Sequence, residues 1–111
     1  MKIRNTDTFV ILEDEKDGIK DFASYLEFII PKAYEGKNII VNLLKYDEMD
    51  LEHLLLFLNI STMHRKTKQS FVLVNNAINI DVIPPEMMVV PTLQEGEDII
   101  EMEEIERDLG F

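Results

Sequence analysis

Residues 38–44 read Asn-Ile-Ile-Val-Asn-Leu-Leu, an almost continuous apolar run. A strand with one wet face alternates apolar with polar residues, so a run of this kind predicts a strand covered on both sides, at the centre of a sheet. Downstream, residues 45–49 make a loop. Asp50 is placed to cap a helix whose apolar positions Leu51, Leu54, Leu55, Leu58 and Met63 fall on one face. That helix closes in Met63-His64-Arg65-Lys66-Thr67-Lys68, with cations at its negative end. Ser-Phe-Val-Leu-Val at 70–74 is the next strand, ended by Asn75 and Asn76, which tolerate turn dihedrals.

Upstream, Thr-Phe-Val-Ile-Leu-Glu at 8–13 is a strand stopped by Asp14-Glu15-Lys16-Asp17-Gly18. Between the two strands Ile19, Phe22, Ala23, Leu26, Phe28 or Ile29, Ile30 and Ala33 recur at helical spacing. Asp17 is the expected cap, and Gly36 sits where a left-handed residue is wanted. Pro31 costs an interior helix ~3 kcal/mol, which predicts a kink or break over 27–30 and a last turn after it. Residues 1–5 alternate weakly and suit an edge strand. Residues 77–82 have room for a helical turn before Pro84 and Pro85, and 87–90 form a short strand ended by Pro91. Thr92-Leu93-Gln94-Glu95 is a capping box that opens a final helix through Ile99, Ile100, Met102 and Ile105.

This order predicts one α/β domain over residues 1–111: a mostly parallel sheet of four to five strands, with helices and right-handed crossovers. The 111 residues are 46% hydrophobic, enough to bury roughly 65% of the unfolded surface, as a domain of this size does. There is no Cys, which excludes a disulfide scaffold, a cysteine nucleophile and thiolate metal sites. Eleven Lys and Arg oppose 22 Asp and Glu, a net charge of −11, so nucleic acid is an unsuitable partner. No apolar stretch approaches the ~20 residues of a membrane span, and the N-terminus lacks a secretory signal. A cytoplasmic protein without membrane contact is expected.

Residues able to perform chemistry are few. His53 and His64 stand 11 apart on the expected helix, about 16 Å along its axis, too far to share a metal ion. His53 beside Asp50 or Glu52 is the nearest thing to a ligand pair, and a solvated surface explains it more simply. No Gly-rich phosphate loop or nucleophile elbow exists. No catalytic residue, metal or cofactor is therefore expected. Residues 93–111 hold eight acids against Arg107, a net of −7. Glu101, Glu104 and Asp108 repel one another at spacings of three and four, which suits either a basic partner surface or Arg107 and Phe111 folding back on the body. Arg65, Lys66 and Lys68 read as unpaired dipole-matching cations, and Met87 and Met88 as core fillers.

The central strand, the loop to Asp50, the helix from Leu51, the strand at 70–74 and the run Val89-Val90-Pro91-Thr92-Leu93-Gln94-Glu95 together resemble a STAS domain, the family of anti-sigma-factor antagonists and sulfate-transporter tails. The resemblance implies a STAS-like fold and a regulatory, non-enzymatic role through protein contact, with an anti-sigma-type kinase or another regulator as partner. In that family the loop before the second helix reads Asp-Ser-Ser/Thr-Gly-Leu, and its hydroxyl is phosphorylated. Here Asp50 and Leu54 match, whereas Leu51 and Glu52 replace the hydroxyl residues and His53 the glycine. Glu52 thus puts a fixed charge where the switch would add about −1.5 to −2. The implied contact residues are Asp47, Glu48, Asp50, Leu51, Glu52 and His53. The C-terminal residues 98–111 also resemble short bacterial proteins often labelled ribonuclease Z, although the His-x-His-x-Asp-His zinc cluster of that nuclease is missing. Two other readings follow: a small-ligand binder or enzyme using Asp47, Glu48, Asp50 and Glu52, and an accessory of an RNA-processing enzyme with Glu101, Glu104 and Asp108 facing a basic surface.

Overall fold

Val10, Leu12, Ile39, Val41, Phe71 and Leu73 belong to one apolar cluster, while Ile11, Ile40, Val72 and Val74 belong to another. Successive strand side chains point to opposite faces, so this split assigns the first set to one face of a sheet and the second to the other. The computed structural model describes residues 1–16 and 18–110. Its five strands are β1 (Lys2–Asn5), β2 (Phe9–Glu13), β3 (Asn38–Asn42), β4 (Phe71–Val74) and β5 (Val89–Val90), side by side in that order. β2 to β5 are parallel, and β1 pairs antiparallel with β2 at the exposed edge. The central strand is β3, as its apolar run predicts, and Ile39, Ile40 and Val41 are each 0% exposed.

The helices are α1 (Ile19–Ala33), α2 (Leu51–Leu55), α3 (Leu58–Arg65) and α4 (Leu93–Asp108). Phe22, Leu26 and Ile30 of α1 join Leu54, Phe57 and Ile60 against the first face. The second face is covered by α4 through Ile100, Leu93 and Ile99. Gly96 permits that approach: a β-carbon there would already stand 3.4 Å from both Ile40 Cδ1 and Val74 Cγ2. A longer side chain would overpack the contact.

Several expectations need correction. α1 runs unbroken through Pro31, because the proline falls in its last turn and the Glu27 residue it deprives of a bond is exposed; Tyr34 N–H continues the pattern to Ile30 O at 3.0 Å. The expected helix from Leu51 to Met63 is two helices joined at Leu56 and Phe57. The join shifts the buried face to Leu54, Phe57, Ile60, Ser61 and His64, leaving Leu51, Leu55 and Met63 exposed. Gly36 has φ 82°, as expected after α1. Residues 80–82 form a single 3-10 turn capped by Asn79. Thr92 Oγ1 accepts from Glu95 N–H at 3.1 Å, but the Glu95 carboxylate meets the Thr92 hydroxyl at 3.4 Å, so one half of the box forms. The Asp17 cap and Phe111 lie outside the described residues.

Candidate contact surface at the carboxyl end of the sheet

At the carboxyl ends of β2, β3 and β4 the chain must leave the sheet through backbone that no strand pairs, so side chains supply the hydrogen bonds. Asn75 does most of this. Its amide donates to Leu43 O at 2.8 Å and Tyr46 O at 3.0 Å, while its oxygen accepts from the Ala77 and Ile78 amides. Asn42 donates to the Glu13 carboxylate and accepts from Leu44 N–H, each at 3.0 Å. On the β2 side, the Tyr46 hydroxyl donates to Asp14 Oδ2 at 2.7 Å. Lys45 Nζ donates to the carbonyls of Asp14 and Lys16 at 3.1 and 2.7 Å.

Burial opposes ionisation of Asp14, but the Tyr46 hydroxyl, the Lys16 amide and the Lys45 ammonium outweigh it and hold the carboxyl below its ordinary value. Both sides of the loop after β3 are thereby fastened. Met49, 7% exposed, pins its far end in the core.

What the fastened loop presents is charged and wet. Asp47, Glu48, Asp50, Leu51 and Glu52 are exposed and His53 is half-buried. Asp50 Oδ1 accepts from His53 N–H at 3.2 Å, and His53 Nδ1 accepts from Asp50 N–H at 3.2 Å, a reciprocal box that fixes the first turn of α2. Nδ1 also stands 3.1 Å from Asp50 Oδ1, so a proton there would exchange the amide bond for an ion pair. His53 thus adds a capping role to the surface position expected of it. The six loop positions fall within seven consecutive residues, interrupted by the buried Met49. Asp14, Asn42, Tyr46 and Asn75, which hold the loop, escaped sequence reasoning; paired asparagines directly after a strand were the available signal.

The acids of α4 separate. Glu101 and Asp108 are exposed, whereas Glu104 is half-buried. Its carboxylate accepts from Asn38 Nδ2 at 2.6 Å and Arg107 Nη2 at 2.9 Å. Those two bonds outweigh burial and hold the Glu104 carboxyl below its ordinary value. Glu103 accepts from the Ser70 hydroxyl and from Arg65 Nη1 at 3.2 Å, and Arg65 Nη2 reaches Phe71 O at 2.9 Å. Arg107 also donates to Asn38 Oδ1 and Ser70 Oγ, both at 3.2 Å. Arg65 is consequently not the free cation that the sequence suggested, whereas Arg107 folds back on the body, one of the two readings offered for it; together they lock α4 to the amino ends of β3 and β4.

His64 is buried on α3, 4% exposed, with Nε2 donating to Lys37 O at 2.6 Å. Burial, the largest influence, lowers its pKa and favours the neutral ring, with Arg65 acting the same way against the Lys37 carbonyl and Glu35. His53 and His64 stand on different helices and bind different partners. Among the described residues no group of three His, Asp or Glu is placed to hold a metal ion, and no helix is long and apolar enough to cross a membrane.

No family model matches the sequence, and no curated protein matches it either. The solved structures do provide a match. A Moorella thermoacetica RsbS, in a variant with glutamate in place of one serine, superposes with a TM-score of 0.64. The match covers 90% of this chain and 93% of that one at 19% identity. Five strands in the order described, three helices on one face and one on the other therefore constitute a STAS fold.

Proposed function

We propose that this chain is a non-catalytic regulatory module that works by protein contact through residues 47–53 and the first turn of α2. The observation that carries this reading is the contrast within the site: an exposed acidic tip is held on a foundation in which the buried polar groups are bonded. A pre-organised loop loses little conformational entropy on binding, which favours recognition by rigid docking. The STAS fold, which RsbS also carries, supports the same use, since the loop before the second helix is the contact element that the family resemblance implies. The partner class that follows is an anti-sigma-type kinase or another protein regulator.

Glu52 shapes the expected specificity. Its exposed carboxylate occupies a position where the family's loop carries a hydroxyl, so the contact is permanently charged and cannot be switched by phosphorylation at that residue. Asp14 and Glu104, both pulled downward by their hydrogen-bond partners, stay ionised and serve the fold.

The test is affinity capture with quantitative mass spectrometry, comparing the natural chain with Glu52→Lys. A protein partner recovered by the natural chain should be lost from the variant, while the unfolding free energy changes by no more than the ~0.5 kcal/mol usual for a surface change. Recovery of every partner by Glu52→Lys would remove the loop from the account.

A further inference from the structure

The side of α4 turned away from the sheet carries Met102 and Ile105, and the C-cap Leu109 continues it; they are 50%, 54% and 65% exposed. Steps of three and four residues align them as one seam, the geometry of a helical zipper. The fold makes no use of that seam, because α4 packs on the sheet through Gly96 and Ile100, both buried. If Met102 and Leu109 are taken as a positions and Ile105 as d, Glu101 and Asp108 fall at g and Glu106 at e. All three flanking acids are exposed.

In a zipper the e and g charges select the partner. A second copy of this chain would bring the same negative charges to the seam, and an anionic lipid surface would be repelled likewise. Only a positive counterpart satisfies both the apolar seam and its margins. We propose that the outer face of α4 docks an amphipathic helix of a protein partner, with apolar a and d residues bordered by Lys or Arg. This surface lies on the opposite face of the sheet from α2, and the inference stands whether or not the 47–53 loop binds anything.

The probe is a synthetic peptide of about three heptads with Leu at a and d and Lys at e and g. Its controls are a scrambled peptide of identical composition and a version with Glu at e and g. Binding to the full chain is followed by fluorescence anisotropy, and its location by backbone amide shifts. The zipper peptide should bind, shift the amides of Met102, Ile105 and Leu109, and weaken as salt rises. The double variant M102E/I105E, altered only at exposed positions, should lose roughly tenfold or more in affinity with an unchanged thermal midpoint. The pair Glu101→Lys and Asp108→Lys should exchange preference towards the Glu peptide. Equal binding of the scrambled peptide, unaltered affinity of M102E/I105E, or self-association of the natural chain that M102E/I105E abolishes would each overturn the proposal.

Discussion

The two ends of the sheet meet the same demand in opposite ways. At the amino end, Asn38, Ser70, Arg65 and Arg107 draw Glu103 and Glu104 into a closed set of bonds, and the charge is used up inside the molecule. At the carboxyl end, Asn75, Asn42, Tyr46 and Asp14 bond backbone and one another, and the acids of the loop above remain exposed. The difference teaches that acidity alone does not mark an interaction surface. What matters is whether the charge is already answered by the fold.

Removing the keystone of the carboxyl end should have the largest effect. Asn75 is 2% exposed and bonds to four backbone groups. Asn75→Ala strands those groups and should cost about 3 kcal/mol in urea unfolding. A loss within surface range would mean that the loop is held by something else. Asn38→Ala, at the amino end, should cost about 2 kcal/mol: it strands the buried Ser70 N–H, while Glu104 and Arg107 keep each other and Arg107 keeps Ser70 Oγ. If it cost more than Asn75→Ala, the ranking of the two ends would be reversed. Asp50→Ala removes only the cap of α2 and should cost about 1 kcal/mol, while loosening the loop enough to raise amide exchange over residues 47–53. Unchanged exchange there would show that the box does not rigidify the tip.

The smallest effect is a change in shape of the pH profile. Folded His64 titrates below the ~6.5 of a free imidazole, so the unfolded chain takes up its proton first. The stability that neutral His64 contributes is whole above that unfolded value and is lost as the pH falls through the folded one. Asp14 and Glu104, also lowered, contribute stability above the ordinary carboxylate range and lose it at more acid pH, through their own folded values. His64→Gln retains a donor for Lys37 O, and it should flatten the curve just below pH ~6.5 while leaving the acid limb. Superposition with the natural chain at every pH would exclude His64 from the profile.

Much of the fold was legible because it rests on local periodicity. The run at 38–44 announced a central strand, Thr92 announced the start of α4, and the strand and helix alternation announced a parallel sheet. The α2 and α3 junction was hidden because apolar residues occupy every position from Leu54 to Leu58, so either face could be buried. The amino-end lock was hidden for a different reason. Asn38, Ser70 and Arg107 are separated by more than thirty residues from one another, and no local pattern says which distant acid a polar side chain will meet. At the carboxyl end the exposed loop was readable as a charged turn next to a capped helix, but its foundation depends on Asp14 and Asn75, the residues that directly follow β2 and β4.

The most direct trial of the contact reading is hydrogen exchange on the complex with a partner recovered by the natural chain. Protection gained at residues 47–55 on binding, and absent when Glu52→Lys is used, is the predicted result. A bound partner that leaves exchange at residues 47–55 unaltered would contradict it.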